Sequence, residues 1–173
     1  MLALLAVSGG GCDDERIALD IDASCAPSEC RVASEYGDLG GVGGMAEQIQ
    51  DSLVWFGKME DECGERLVEL SIELASGRGV FAGGLATGRY PLTGDELDAD
   101  TCGACVRLIV DDGKCYFATG GTLVLTSTEI DLVGSLEDAT FAPVNCLTDD
   151  PIPGDCTSRI DSMSFNETIG GEG

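Results

Sequence analysis

The stretch Val68-Glu69-Leu70-Ser71-Ile72-Glu73-Leu74 alternates aliphatic and polar residues without interruption. Successive side chains of a β-strand point to opposite faces, so a period of two predicts a strand with one apolar face and one wet face. Because helices show a period of 3.6 instead, this stretch favours a β fold over a helical one.

Further short segments carry similar strand signals. Ile17, Leu19 and Ile21 repeat the alternation, and Asp111-Asp112-Gly113-Lys114 offers an Asp-Gly pair for a tight hairpin. The other predicted strands are residues 79–82, 88–92, 106–110, 116–119, 122–127, 130–136, 140–144 and 160–165. With 25 glycines to separate the strands, the chain predicts an all-β domain, either an antiparallel β-sandwich or a barrel-like domain.

Residues 45–59 also carry a helical pattern, because four apolar residues from Met45 to Phe56 fall at helical spacing. Residues 53–56, however, read Leu-Val-Trp-Phe, a continuous block that favours β structure. We therefore favour a strand at residues 51–58 over a helix.

The composition limits the classes of function. The chain has 173 residues, enough for one domain, with 9 Lys and Arg against 32 Asp and Glu and a net charge of −23. Such a surface repels phosphate backbones, so we expect no nucleic-acid partner and no electrostatic docking on anionic lipids. Histidine is absent, which removes the usual base for a nucleophilic serine.

The N-terminus predicts export and a lipid anchor. Residues 2–7 are apolar, residues 8–11 are small, and Cys12 follows directly. Residues 7–12 resemble the lipobox of bacterial lipoproteins, which implies that Cys12 carries diacylglycerol; the alternative is an ordinary buried strand. We expect residues 1–11 to be a signal peptide whose true start lies upstream, residues 12–16 to be the lipidated cysteine and a short tether, and residues 17–173 to form a single β-rich domain.

The eight other cysteines are an even number in a chain with an export signal, which predicts four disulfides in an oxidising compartment. They are Cys25, Cys30, Cys63, Cys102, Cys105, Cys115, Cys146 and Cys156. Eight cysteines allow 105 pairings. Proximity in sequence suggests a bond between Cys25 and Cys30 and another between Cys146 and Cys156.

The motif Cys102-Gly103-Ala104-Cys105 also has the form of a redox dithiol. A reactive dithiol uses a helix N-terminus to lower the pKa of its first thiol. Here a β-rich run, residues 106–110, follows instead, and no histidine is present to complete a mixed zinc site. We therefore predict structural disulfides for these cysteines.

One loop concentrates acidic residues. Asp95, Glu96, Asp98 and Asp100 lie within residues 94–100, so they are candidate calcium ligands; the alternative is a solvated acidic loop. Residues 149–150, both aspartates, are candidates for the same site or for a second one. We predict no other cofactor.

Three segments carry a family resemblance: residues 88–94 (Gly-Arg-Tyr-Pro-Leu-Thr-Gly), 102–106 (Cys-Gly-Ala-Cys-Val) and 116–122 (Tyr-Phe-Ala-Thr-Gly-Gly-Thr). Together they resemble uncharacterised cysteine-rich lipoproteins of Gram-negative bacteria. The resemblance implies a β domain in the cell envelope and assigns no catalytic residue.

The sequence thus predicts a non-enzymatic binding or structural module. We expect it to be anchored in the bacterial cell envelope, at the outer membrane, with the lipid bilayer as partner through acylated Cys12 and with its domain in the periplasm or outside the cell. A protein or glycan partner is not identified by any motif. The alternative is a secreted hydrolase that acts through a pair of carboxylates, with or without calcium.

Overall fold

The computed structural model describes residue 30 and residues 32–60, 67–110, 113–154 and 156–170. This part of the chain forms nine strands and two short 3₁₀ helices, Gly79–Phe81 and Gly94–Leu97. The strands are β1 (Asp38–Gly41), β2 (Gly44–Ile49), β3 (Ser52–Glu60), β4 (Leu67–Ala75), β5 (Gly88–Pro91), β6 (Ala104–Val110), β7 (Lys114–Thr128), β8 (Asp131–Val144) and β9 (Ser158–Gly170). None of the described helices has the length and apolar character needed to span a bilayer.

Seven strands close a mixed β-barrel in the order β9-β2-β3-β4-β6-β7-β8, with β8 pairing back to β9. Most neighbours are antiparallel, but β2 meets β9 in parallel, where Ala46 pairs with Ile169. β1 also runs parallel to β9, and β5 pairs with residues 122–125 of β7, beyond Phe117, the last β7 residue that pairs with β6. The predicted all-β, barrel-like fold is confirmed, and the parallel closure makes the barrel a mixed one.

The alternating stretch that predicted the fold lies in β4, at the centre of the sheet. Its four aliphatic side chains are fully buried: Val68, Leu70, Ile72 and Leu74. The strand predicted at residues 51–58 is confirmed as β3, and β2 precedes it across a turn in which Gln50 has a φ of 53°. Residues 45–59 are therefore a hairpin rather than a helix.

Three details of the strand prediction differ from the structure. Residues 79–82 do not form a strand, because Gly79 has a φ of 40° and its carbonyl accepts the Ala82 N–H in a 3₁₀ turn. Residues 116–119 and 122–127 are one strand, β7, because the glycines between them form a bulge rather than a turn. Residues 130–136 and 140–144 likewise merge into β8. The alternation at residues 17–21 lies outside the described residues.

An aromatic pair fills the barrel interior. Trp55 is fully buried, and its ring centroid lies 5.1 Å from that of Phe165. Glycines make room for these rings: a Cβ on Gly57 would lie 2.0 Å from the Trp55 ring, and one on Gly134 would lie 2.7 Å from the Phe165 ring. The packing of the core therefore depends both on the large aromatic side chains and on the glycines that leave space for them.

Outside the barrel, Arg89 on β5 reaches across β7 to Glu137 on β8. Two hydrogen bonds of 3.2 and 2.7 Å join the guanidinium to the carboxylate. They hold the pKa of Glu137 below its ordinary value and raise the pKa of Arg89. Because both groups face water, this ion pair contributes little to overall stability, and β5 is held mainly by its pairing with β7.

Three disulfides are present in the described part of the chain: Cys30–Cys156, Cys102–Cys105 and Cys115–Cys146. The pairings suggested by proximity, Cys25 with Cys30 and Cys146 with Cys156, are therefore wrong. Strand register explains why Cys146 bonds to Cys115 and not to Cys156. β7 and β8 pair Cys115 with Val144, which lies two residues before Cys146. Cys12, Cys25 and Cys63 lie outside the described residues.

We predict that removing the Cys30–Cys156 bond destabilises the fold most. The two cysteines lie 126 residues apart, and a disulfide that closes a long loop restricts the unfolded chain strongly. Cys30→Ala with Cys156→Ala should lower the free energy of unfolding by about 2–5 kcal/mol in urea titrations.

The matched control is Cys102→Ala with Cys105→Ala, since this bond spans a separation of only 3 residues. Its removal should cost about 1–2 kcal/mol. A larger loss for this pair than for Cys30 and Cys156 would contradict the prediction.

Candidate functional site

A cleft of about 380 Å³ lies on the outer face of the barrel. Its floor consists of side chains from β7 and β8, chiefly Phe117, Ala142 and Val144. One wall is residues 97–100 and the opposite wall is residues 148–151. We call this feature the acidic cleft, because each wall contributes two aspartates: Asp98, Asp100, Asp149 and Asp150.

The first wall is held by a buried carboxylate. Glu96 is only 2% exposed, although residues 94–100 contain four acidic residues. Its Oε2 accepts the N–H groups of Gly103 and Ala104 at 2.9 and 2.6 Å, and its Oε1 accepts the N–H of Val80 at 2.7 Å. A charged acceptor thus satisfies three backbone donors and compensates for its own burial.

Glycine is required on both sides of this carboxylate. A Cβ at Gly79 would lie 2.0 Å from Glu96 Oε1, and a Cβ at Gly103 would lie 2.4 Å from the Arg78 carbonyl oxygen. The two 3₁₀ helices and the start of β6 therefore meet at one point, with Glu96 between them. The Cys102–Cys105 bond closes the turn that leads into β6.

The two cysteines of the C-x-x-C motif form a disulfide with each other, a pairing that the sequence left open. Cys102 is fully buried and Cys105 is 4% exposed. No helix starts at the motif, because Ala104 begins β6. The motif therefore fastens the first wall of the acidic cleft.

The second wall is a tight loop after β8. The Asn145 side-chain oxygen accepts the N–H of Leu147 at 2.9 Å, and its backbone carbonyl accepts the N–H of Asp149 at 2.8 Å. The Cys115–Cys146 bond ties this loop to the start of β7. Hydrogen bonds and a disulfide therefore fix this wall as well.

Arg107 connects the second wall to the barrel. Its guanidinium donates to Asp149 Oδ2 at 2.9 Å and lies 5.5 Å from the centroid of the Phe117 ring. The ion pair is partly buried, with side-chain exposures of 31% and 23%. Arg107 thus neutralises one of the four aspartates and packs over the Phe117 ring.

The three other aspartates of the cleft form no ion pair with a Lys or Arg of the described residues. Asp98 accepts the Asp100 N–H at 2.9 Å, and Asp150 accepts the Thr148 hydroxyl at 2.7 Å. All three residues are exposed. The cleft therefore retains an excess of negative charge over a partly apolar floor.

The structure brings some of the candidate calcium ligands together and separates others. Asp98 and Asp100 share the cleft with Asp149 and Asp150, so the two aspartates at 149–150 belong to the same site rather than to a second one. Asp95 does not line the cleft. Both oxygens of Glu96 are occupied by backbone N–H groups. Within the described residues no three acidic or cysteine side chains form a group that could hold a metal ion, so calcium binding stays a prediction.

No family model, no curated protein and no solved structure matches this chain.

We predict that Glu96→Gln destabilises the protein strongly, although the two side chains have nearly the same size and shape. The amide has one acceptor oxygen in place of two, so its NH₂ group would face a backbone N–H and leave at least one buried donor unpaired. The free energy of unfolding should fall by about 1–3 kcal/mol in chemical denaturation.

Asp95→Asn provides the control, since it removes the same charge from the exposed neighbour in the same 3₁₀ helix. It should change stability by less than about 0.5 kcal/mol. Equal effects of the two substitutions would mean that Glu96 acts only through charge.

Proposed function

We propose that this protein is a lipid-anchored, non-enzymatic binding module of the bacterial cell envelope, and that its acidic cleft binds a cationic ligand. The observation that carries the proposal is the construction of the cleft. Each wall is fastened by its own disulfide and its own hydrogen bonds. Fixing a concave surface before a ligand arrives lowers the entropy cost of binding.

Disulfides support an extracytoplasmic address, because they persist in oxidising compartments. Residues 7–12 resemble a lipobox, so the proposed anchor is acylated Cys12 in the outer membrane. Each buried methylene of an acyl chain contributes about 0.8 kcal/mol, and several chains hold a protein on the bilayer without help from surface charge. An anchor of this kind suits a chain with a net charge of −23.

The charge of the cleft supports a cationic ligand. Three aspartates without a cationic partner among the described residues surround a floor that includes Phe117 and Val144. A ligand that combines amines with a methylene chain would match both parts, since the amines would meet the carboxylates and the chain would cover the floor. The charge of the whole protein would raise the local concentration of such a ligand.

Two of the acidic groups near the cleft already have structural roles, which supports binding rather than catalysis. Glu96 accepts three backbone N–H groups with its two oxygens, and Asp149 pairs with Arg107. A carboxylate used as a general acid or nucleophile needs a free oxygen directed at the substrate.

A second candidate is the secreted hydrolase that acts through carboxylates and depends on calcium. The observation that favours it is the presence of four aspartates in one cleft. In that case calcium should raise the melting temperature, and the rise should disappear in Asp98→Asn with Asp100→Asn. Under the binding hypothesis a chelator leaves the melting temperature unchanged.

We predict that Cys12→Ser releases the protein from membranes. The substitution removes the thiol that would carry the acyl chains, so the protein should move from the membrane fraction to the soluble extract. Fractionation with intact-mass measurement checks both the position and the mass of the lipid. Ala18→Ser adds a serine nearby without removing a thiol and should stay with membranes; retention of Cys12→Ser would refute the anchor.

We predict that hexamethylenediamine binds the acidic cleft and that the diol of the same chain length does not. Asp98→Asn with Asp100→Asn should weaken binding by about tenfold, because two carboxylates that would contact an amine are lost. Calorimetric titration of the purified domain measures both affinities.

The control variant is Glu47→Gln with Glu129→Gln, which removes two exposed charges that do not line the cleft. It should leave the affinity within about twofold. Equal weakening in both variants would mean that only net charge attracts the diamine, and the cleft would not be the site.

A further inference from the structure

The three described disulfides differ in their access to solvent. Cys102 and Cys105 are buried, and Cys30 and Cys156 are half-buried. Cys146 is exposed, whereas its partner Cys115 is 9% exposed. A disulfide is opened by a thiolate that reaches one of its sulfurs, so exposure selects which bond reacts first.

A second concavity lies beside Cys146. It has a volume of about 480 Å³ and is lined by Cys115, Cys146, Cys156 and mainly apolar neighbours. Of these three cysteines only Cys146 is exposed. Leu147 on its rim is 93% exposed, and Ile152 is 49% exposed. We call it the apolar groove. It gives an external thiol a path to the Cys115–Cys146 bond, and it shares Pro143 and Val144 with the acidic cleft.

We propose that the Cys115–Cys146 disulfide is a thiol-exchange site that takes an external dithiol, and that its reduction loosens the second wall and weakens ligand binding in the acidic cleft. The regulatory half of this inference rests on the proposed function of that cleft. The exchange half does not.

One external dithiol reduces the Cys115–Cys146 disulfide in two exchange steps. Its first thiolate attacks Cys146 Sγ, which forms a mixed disulfide and releases Cys115 as a thiolate that takes a proton from water. The second thiol of the dithiol then attacks the mixed disulfide, which closes the external disulfide and releases Cys146, protonated in turn. The dithiol is oxidised by two electrons, and the protein disulfide is reduced by two electrons.

Loss of this bond affects the cleft through the loop at residues 145–151. The N–H of Ile152 donates to the Pro143 carbonyl, and Val144 bridges to Pro151, so the base of the loop stays attached to the barrel. Between these points the disulfide is the covalent link to β7. Without it, Asp149 and Asp150 keep only hydrogen bonds and the Arg107 ion pair.

The test is a titration of the native protein with reduced dithiothreitol, followed by alkylation and peptide mapping. Cys115 and Cys146 should be alkylated about tenfold faster than Cys102 and Cys105, and also before Cys30 and Cys156. Earlier or simultaneous opening of either other bond would overturn the exchange site.

The same samples are titrated with hexamethylenediamine. Partial reduction should weaken its binding by about tenfold. Cys115→Ala with Cys146→Ala should show that weaker binding from the start and should no longer respond to dithiothreitol.

An unchanged affinity after selective reduction would overturn the regulatory half. If the oxidised protein binds no diamine, the proposed cleft function fails and the regulatory half fails with it. The order of alkylation still decides the exchange site in that case.

Discussion

The carboxylate of Glu96 joins three segments that strand pairing does not connect. Its hydrogen bonds to Val80, Gly103 and Ala104 hold the two 3₁₀ helices against the start of β6. A charge buried to this degree is tolerated only because donors surround it. The first wall of the acidic cleft depends on this group as well as on the Cys102–Cys105 bond, since residues 98–100 continue directly from the 3₁₀ helix that contains Glu96.

The opposite wall depends on the barrel instead. The register of β7 and β8 sets Cys115 against Val144, and the chain then turns so that Cys146 reaches Cys115. Arg107, on the outer face of β6, reaches Asp149 across the floor. The two walls are thus positioned by different means, and the shape of the cleft follows from both.

The sequence predicts much of the fold and little of the site. Aliphatic and polar residues alternate along β4 because one face of the strand is buried and the other faces water. This pattern predicts an all-β domain from the sequence. The parallel contact of Ala46 with Ile169 is invisible, because it joins distant segments and no local pattern encodes it. Disulfide pairing is hidden for the same reason, since the register that brings Cys115 to Cys146 appears only once the sheet is built.

The burial of Glu96 is a feature of the site that the sequence does not predict. In a run with Asp95, Asp98 and Asp100 it has the composition of a solvated loop or a calcium site, and only the fold separates the buried carboxylate from the exposed ones. The glycine at position 79 is the local signal that could have indicated it, because a side chain there would collide with the carboxylate. A single sequence gives no means to distinguish that glycine from one in an ordinary turn.

Native-state hydrogen exchange at the amides of Val80, Gly103 and Ala104 tests the role of Glu96 most directly. All three lie in or next to irregular segments, yet each donates to the same buried carboxylate. If Glu96 holds these segments, the three amides exchange slowly, with a protection close to that of the β4 amides, and Glu96→Gln accelerates all three together. Exchange of these amides at the rate of an unprotected loop in the native protein would show that Glu96 does not hold them.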